Sequence, residues 1–118
     1  IGINNLLTDA KAEALNLANQ GYTQTFPQKI KVLGKEGLGM FMVGAHSMHE
    51  AGYITEHEKL MSEKLAYVIC GGDLSTPHLV SEQYLLDMER EAFLSLCGER
   101  KTLERIEQML KKGKPLRN

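Results

Sequence analysis

Apolar residues recur every three to four positions through most of this chain, and glycine or proline interrupts the pattern at intervals. That periodicity, cut at those points, predicts an all-α fold of about five helices with short connections and antiparallel helical hairpins. The first helix runs from about residue 5 to 20, with Leu7, Ala10, Ala14 and Leu17 on one face and Gly21 as its stop. Residues 22–35 contain Pro27 and a short Lys-Ile-Lys-Val-Leu alternation; lacking a visible partner strand, they are expected to be coil. The second helix spans about 36–51, with Leu38, Met42, Ala45 and Met48 as its apolar stripe.

Thr55 opens the third helix, with Glu58 three positions on as a capping box, and Met61, Leu65, Val68 and Ile69 are expected to face the core. Gly71 and Gly72 end that helix, and residues 73–80 read as a linker around Pro77. Ser81 caps the fourth helix, whose stripe is Leu85, Met88, Ala92 and Leu96 with Phe93 beside it. After Gly98 a fifth helix starts near Thr102 and carries Leu103, Ile106, Met109 and Leu110 to Gly113, where Pro115 prevents continuation. The division expected from this pattern is a helical extension over 1–76 and a helical hairpin over 77–118, together forming one unit.

The second helix holds Gly39 and Gly44 inside its length. Each weakens a helix by about 0.5–1 kcal/mol relative to Ala, so each needs a reason. Either another helix packs closely there or a ligand does.

Composition narrows the function. With 42% apolar and 25% charged residues in 118, the chain can bury a modest single core. No apolar run reaches the length of a membrane span, and no secretory leader is visible, so a cytoplasmic location is expected. The first residue is Ile rather than Met, which reads as a fragment. Cys70 and Cys97 form no metal or redox spacing and are expected to be free, mostly buried thiols.

The net charge of −1 is unevenly placed: residues 50–91 hold nine acids and three Lys/Arg, whereas residues 99–118 hold seven Lys/Arg and three acids. Oppositely charged helix faces packed as neighbours would explain this, and so would a basic tail that meets phosphate. Nucleic acid is excluded as a partner by the slightly negative total and the scarcity of aromatic residues.

No catalytic motif is present. His46, His49, Glu50, Glu56 and His57 could converge across the turn at Gly52, but they match no zinc or di-iron spacing, so no metal is expected. Asp87, Glu89 and Glu91 surround Arg90 on the fourth helix as a solvated face with local ion pairs. Gly71-Gly72-Asp73 follows a helix rather than a strand and is a helix end, not a dinucleotide cradle. Lys111, Lys112, Lys114 and Arg117 cluster after the last apolar turn, where cations also suit a helix C-terminus.

Family likeness lies in longer runs. Glu91-Ala92-Phe93-Leu94-Ser95-Leu96 and Gln108-Met109-Leu110-Lys111-Lys112-Gly113-Lys114-Pro115 resemble the closing helices of crotonase-type (enoyl-CoA hydratase) domains. The stretches GYITEHEKLMSEKLAYVICGGDL, VSEQYLLDMEREAFLSLCGE and MLKKGKPLRN are similar to the C-terminal region of bacterial NAD-dependent 3-hydroxyacyl-CoA dehydrogenases fused to a crotonase-like domain.

The resemblance implies a non-catalytic C-terminal piece of a fatty-acid β-oxidation enzyme, covering the acyl-CoA pocket and supporting assembly. NAD would then belong to the parent and no cofactor to this piece. The partners implied are the upstream catalytic domains, acyl-CoA and a second copy, with no membrane. The family's CoA-contacting aromatic and lysine fall on Met109 and Lys112; Met109 stands for the usual Phe, and Gly113 for the usual Arg. A free-standing helical protein-interaction module is the alternative.

Overall fold

The computed structural model describes residues 3–118. A 3-10 turn at Ile3–Asn5 leads into α1 (Leu6–Asn19), followed by β1 (Ile30–Val32), α2 (Gly34–Glu50) and α3 (Glu56–Ile69). Then come β2 (His78–Val80), α4 (Glu82–Cys97) and α5 (Arg100–Lys112). The fold is all-α, as the apolar period predicts.

Local chemistry explains most boundaries. Thr55 accepts a hydrogen bond from the Glu58 backbone N–H at 3.2 Å, and Glu58 accepts one from the Thr55 N–H at 2.9 Å, so the capping box forms as read. Ser81 caps α4 through the Tyr84 N–H at 3.1 Å. Gly113 takes a left-handed φ of 63° and ends α5.

Two expectations change. The coil at 22–35 and the linker at 73–80 each contribute a three-residue strand: β1 and β2 pair antiparallel, with Ile30 opposite Val80 and Val32 opposite His78. The partner lies nearly fifty residues away, so no local pattern could pair it. The fifth helix begins at Arg100, two residues before Thr102, with the Glu99 carbonyl accepting from the Thr102 and Leu103 N–H groups.

The central element is α3, packed against α2 on one side and α4 on the other, with α5 following α4. Leu38, Ala66 and Cys70 form the main buried cluster, and Val32, Ala45, Val68 and Val80 are buried elsewhere. The half-buried stripe of α4 is the one read from sequence: Leu85, Met88, Ala92 and Leu96.

On α3 Val68 is buried and Met61 half-buried as expected, but Leu65 and Ile69 are exposed, while His57, Ala66 and the C-cap Cys70 are inside. An element flanked on two sides buries two arcs, and a single-stripe reading misses one of them. Burial of Cys70 pushes its thiol pKa up, as expected of an inert structural thiol.

The apolar stripe of α5 faces outward. Leu103, Ile106 and Met109 are exposed, Leu110 is 82% exposed, and the inward positions are Thr102 and Arg105. Helix α1 has no buried residue at all, and in the arm after it Phe26 is 93% exposed. An isolated helix of 14 residues is marginal in water.

The surface totals 9379 Å², against about 6,400 Å² expected for a compact monomer of this mass. The radius of gyration, 20.0 Å, likewise exceeds the ~13 Å of a compact chain near 100 residues. The excess is roughly 3,000 Å².

Candidate functional site

The best-built polar constellation joins the start of α3 to α5 and the C-terminus. It begins with the capping box, which holds Glu58 at the first turn of α3 with its carboxylate already accepting the Thr55 N–H. Gly113, left-handed at φ of 63°, ends α5 and lets the chain leave its axis. Arg117 donates to Glu58 Oε1 from Nε at 2.7 Å and to Glu58 Oε2 from Nη2 at 2.6 Å, and also donates to the Tyr53 carbonyl at 3.1 Å.

Arg105, on the inward side of α5, lies 3.7 Å from Glu58 Oε1 and donates to the Asn118 side-chain oxygen at 2.7 Å. Asn118 in turn donates to the Lys101 carbonyl and to Glu104. One carboxylate therefore serves a helix cap and two arginines, and the chain end is strapped across α3 and α5.

The Arg117 guanidinium, hydrogen-bonded to the carboxylate, holds Glu58 at a pKa of about 2, with the Thr55 N–H adding to the effect and partial desolvation opposing it. A carboxylate depressed in the folded state contributes stability above its ordinary value, and that contribution is lost as pH falls toward the folded pKa. Glu58→Gln is therefore expected to lower the melting temperature at neutral pH. The difference from the parent chain should shrink between about pH 4.5 and about 2; a difference constant with pH would contradict the strap.

Beside this strap, His57 and Thr102 are both buried and share a hydrogen bond of 3.0 Å between Nε2 and Oγ1. Sequence reading missed both partnerships. The signals present were the capping box and the separation of acids from bases, which here resolves into Glu58 meeting Arg105 and Arg117.

The other candidates separate. His46 Nδ1 lies 3.4 Å from Lys59 Nζ, while His49 Nδ1 is 3.5 Å from Glu50 and forms no hydrogen bond. Among the described residues no three His, Cys, Asp or Glu side chains come together as an ion site.

The basic tail is not one cluster. Lys111 pairs with Glu107, lowering the pKa of that carboxyl, and Arg117 is committed to Glu58, leaving Lys112 and Lys114 exposed in solvent. Met109 and Lys112 lie on the outer surface and last turn of α5. Neither lines the groove of about 380 Å³ between α3 and α5, which mixes Glu56, Glu63 and Glu99 with Lys59 and Lys101. Nor do they line the second one on α4, around Tyr84, Met88 and Leu94.

The Gly71-Gly72 turn does not form a cradle for a dinucleotide. Gly71 and Gly72 close α3 at φ of 76° and 86°, and a Cβ at Gly71 would stand 2.5 Å from Val32, so the chain itself fills that space. What the arrangement can do is hold helices in place and present bare apolar faces.

No protein-family model matches the chain, and no solved structure matches it. Among the described residues no helix is long and apolar enough to cross a membrane. Over 113 residues, 96% of its length, the chain is 49% identical to a probable 3-hydroxyacyl-CoA dehydrogenase of Bacillus subtilis (strain 168). The chain spans 14% of that protein's length.

Proposed function

We propose that these residues are the C-terminal helical region of a 3-hydroxyacyl-CoA dehydrogenase fused to a crotonase-like domain, working in cytoplasmic fatty-acid β-oxidation. The observation that carries this reading is the 49% identity, sustained over nearly the whole chain, to a small part of a much longer dehydrogenase. The excess surface and the unpacked α1 support it, since both describe a piece shaped to rest against something larger.

In this reading NAD would be held by the parent's other part and would supply the hydride acceptor for a 3-hydroxyacyl substrate. The present residues contribute cover and assembly. Residues 77–118 form the crotonase-like hairpin and 1–76 its helical extension. Met109 and Lys112, already solvent-facing, meet acyl-CoA: the thioether as an apolar contact and the ammonium toward phosphate.

The natural polypeptide should then have a mass several times 13.2 kDa. Intact mass spectrometry of the native protein tests this, and a product of about the mass of this chain would instead favour a free-standing interaction module.

Bare apolar faces also predict self-association of the 118-residue chain through α2 and α4, where Met40, Val43, Phe93 and Leu94 are exposed. Sedimentation velocity should show dimers or larger species at high concentration. A clean monomer would count against the reading.

A further inference from the structure

Apolar burial contributes little to holding α5. The buried cluster is Leu38, Ala66 and Cys70, and α5 supplies none of it. The one residue that α5 buries is Thr102, and its partner is the His57 ring nitrogen at 3.0 Å. Further ties to α3 are ionic: Arg105 stands 3.7 Å from Glu58 Oε1, and Arg117 returns onto both Glu58 oxygens at 2.7 and 2.6 Å. Asn118 accepts from Arg105 and donates to the Lys101 carbonyl and the Glu104 carboxylate, which ties the tail to α5 itself. Leu103 and Leu110 meanwhile stay exposed.

We infer that α5 and residues 113–118 form one detachable unit, clasped to α3 by these polar contacts and opening at Gly98 and Glu99 while α2, α3 and α4 stay folded. Elements that open locally are those with few buried apolar contacts. Helix α5 has a single buried residue, and that residue is polar.

Opening leaves little unsatisfied behind. Glu58 keeps its bond from the Thr55 N–H at 2.9 Å, so the first turn of α3 stays capped after both arginines have left. His57 Nε2 loses Thr102 and gains water in its place, because the helix that carries Thr102 is the one that moves. The hinge is also free of ties to α5: the Gly98 N–H donates to the Ser95 carbonyl and the Glu99 N–H to the Leu96 carbonyl, both within α4. In the open state His57 and Glu58 face solvent, and Met109 and Lys112 leave with α5. The clasp lies wholly within these residues, so it stands apart from the reading of the chain as a region of a longer dehydrogenase.

Hydrogen exchange of the intact natural protein, followed by peptide mass, tests the unit. Arg117→Ala removes a side chain that is 64% exposed, so the fold survives it. It should speed exchange over residues 100–112 roughly threefold or more, while 34–50, 60–69 and 82–97 exchange as before. Arg100→Ala is the control: it breaks only a solvated pair with Glu104 on α5 and should change exchange there far less. Glu58→Gln combined with Arg117→Ala should speed exchange no further than the stronger single variant, since both release the same catch.

Exchange over 100–112 that Arg117→Ala leaves unchanged overturns the inference. An equal rise in α2 and α3 overturns it too, because α5 would then open only with the whole fold. So do additive effects in the double variant.

Discussion

Replacing Gly34 with Ala should unfold a large fraction of the 118-residue chain at temperatures where the parent chain is folded. Gly34 joins β1 to α2 at φ of 66°. A side chain in that left-handed conformation costs about 1–2 kcal/mol. The added methyl would also stand 2.6 Å from the Leu74 carbonyl oxygen and 2.9 Å from that of Thr76. These are backbone atoms, and no rotamer change moves them aside.

Two hydrogen bonds fix the crossing: the Gly34 N–H donates to the Cys70 carbonyl at 2.9 Å and the Lys35 N–H to Leu74 at 2.6 Å. Overpacking adds about 1–3 kcal/mol. The sum lowers the melting temperature by on the order of 10 °C or more for a chain of this size. Gly113→Ala supplies the comparison: it shares a positive φ of 63° but meets nothing within 4 Å, so only the conformational part remains. Thermal unfolding followed by circular dichroism separates the two, and equal losses would show that the crossing at Gly34 is not tight.

Thr102→Val should also destabilise strongly, for a different reason. The Thr102 hydroxyl is the hydrogen-bond partner of His57 Nε2 in a buried setting, and Val copies its shape without its polarity. A ring nitrogen left unpaired inside the protein costs about 1–3 kcal/mol. Thr102→Ser keeps the hydroxyl and loses only a methyl, so it should recover most of the stability. Urea unfolding of the three proteins checks this order. If Ser and Val behave alike, the contact matters for packing rather than for hydrogen bonding.

The pair pins the first turn of α5 to α3, with Met109 and Lys112 about two to three turns further along the helix.

Helices were legible where side chains carry the signal locally. Thr55, Glu58 and Ser81 announce caps, Gly21 and Gly113 announce stops, and the α4 stripe lies on a single half-buried face. Features decided by distant neighbours were not. The Lys-Ile-Lys-Val-Leu alternation was visible, but its partner His78–Val80 follows Pro77 and carries no register information of its own.

Burial on α3 was misread because two helices flank it, and burial on α5 because its apolar stripe turns away from this chain. The second failure is informative. A sequence expects Leu103, Ile106, Met109 and Leu110 to be covered, and among the described residues all four stay exposed, Leu110 most of all.

The polar strap was half legible. The capping box located Glu58, and the charge separation required acids and bases to meet somewhere. Nothing in the spacing told Arg117, fifty-nine residues away, to fold back onto it. The four-cation tail expected from composition is therefore reduced to Lys112 and Lys114 as exposed charges beyond the last apolar turn.

NADH formation from a 3-hydroxyacyl-CoA, measured side by side for the 118-residue chain and for the intact natural protein, tests the account most directly. Turnover by the intact protein and none by the chain is the expected result. Turnover by the chain alone, or none by the intact protein, would contradict it.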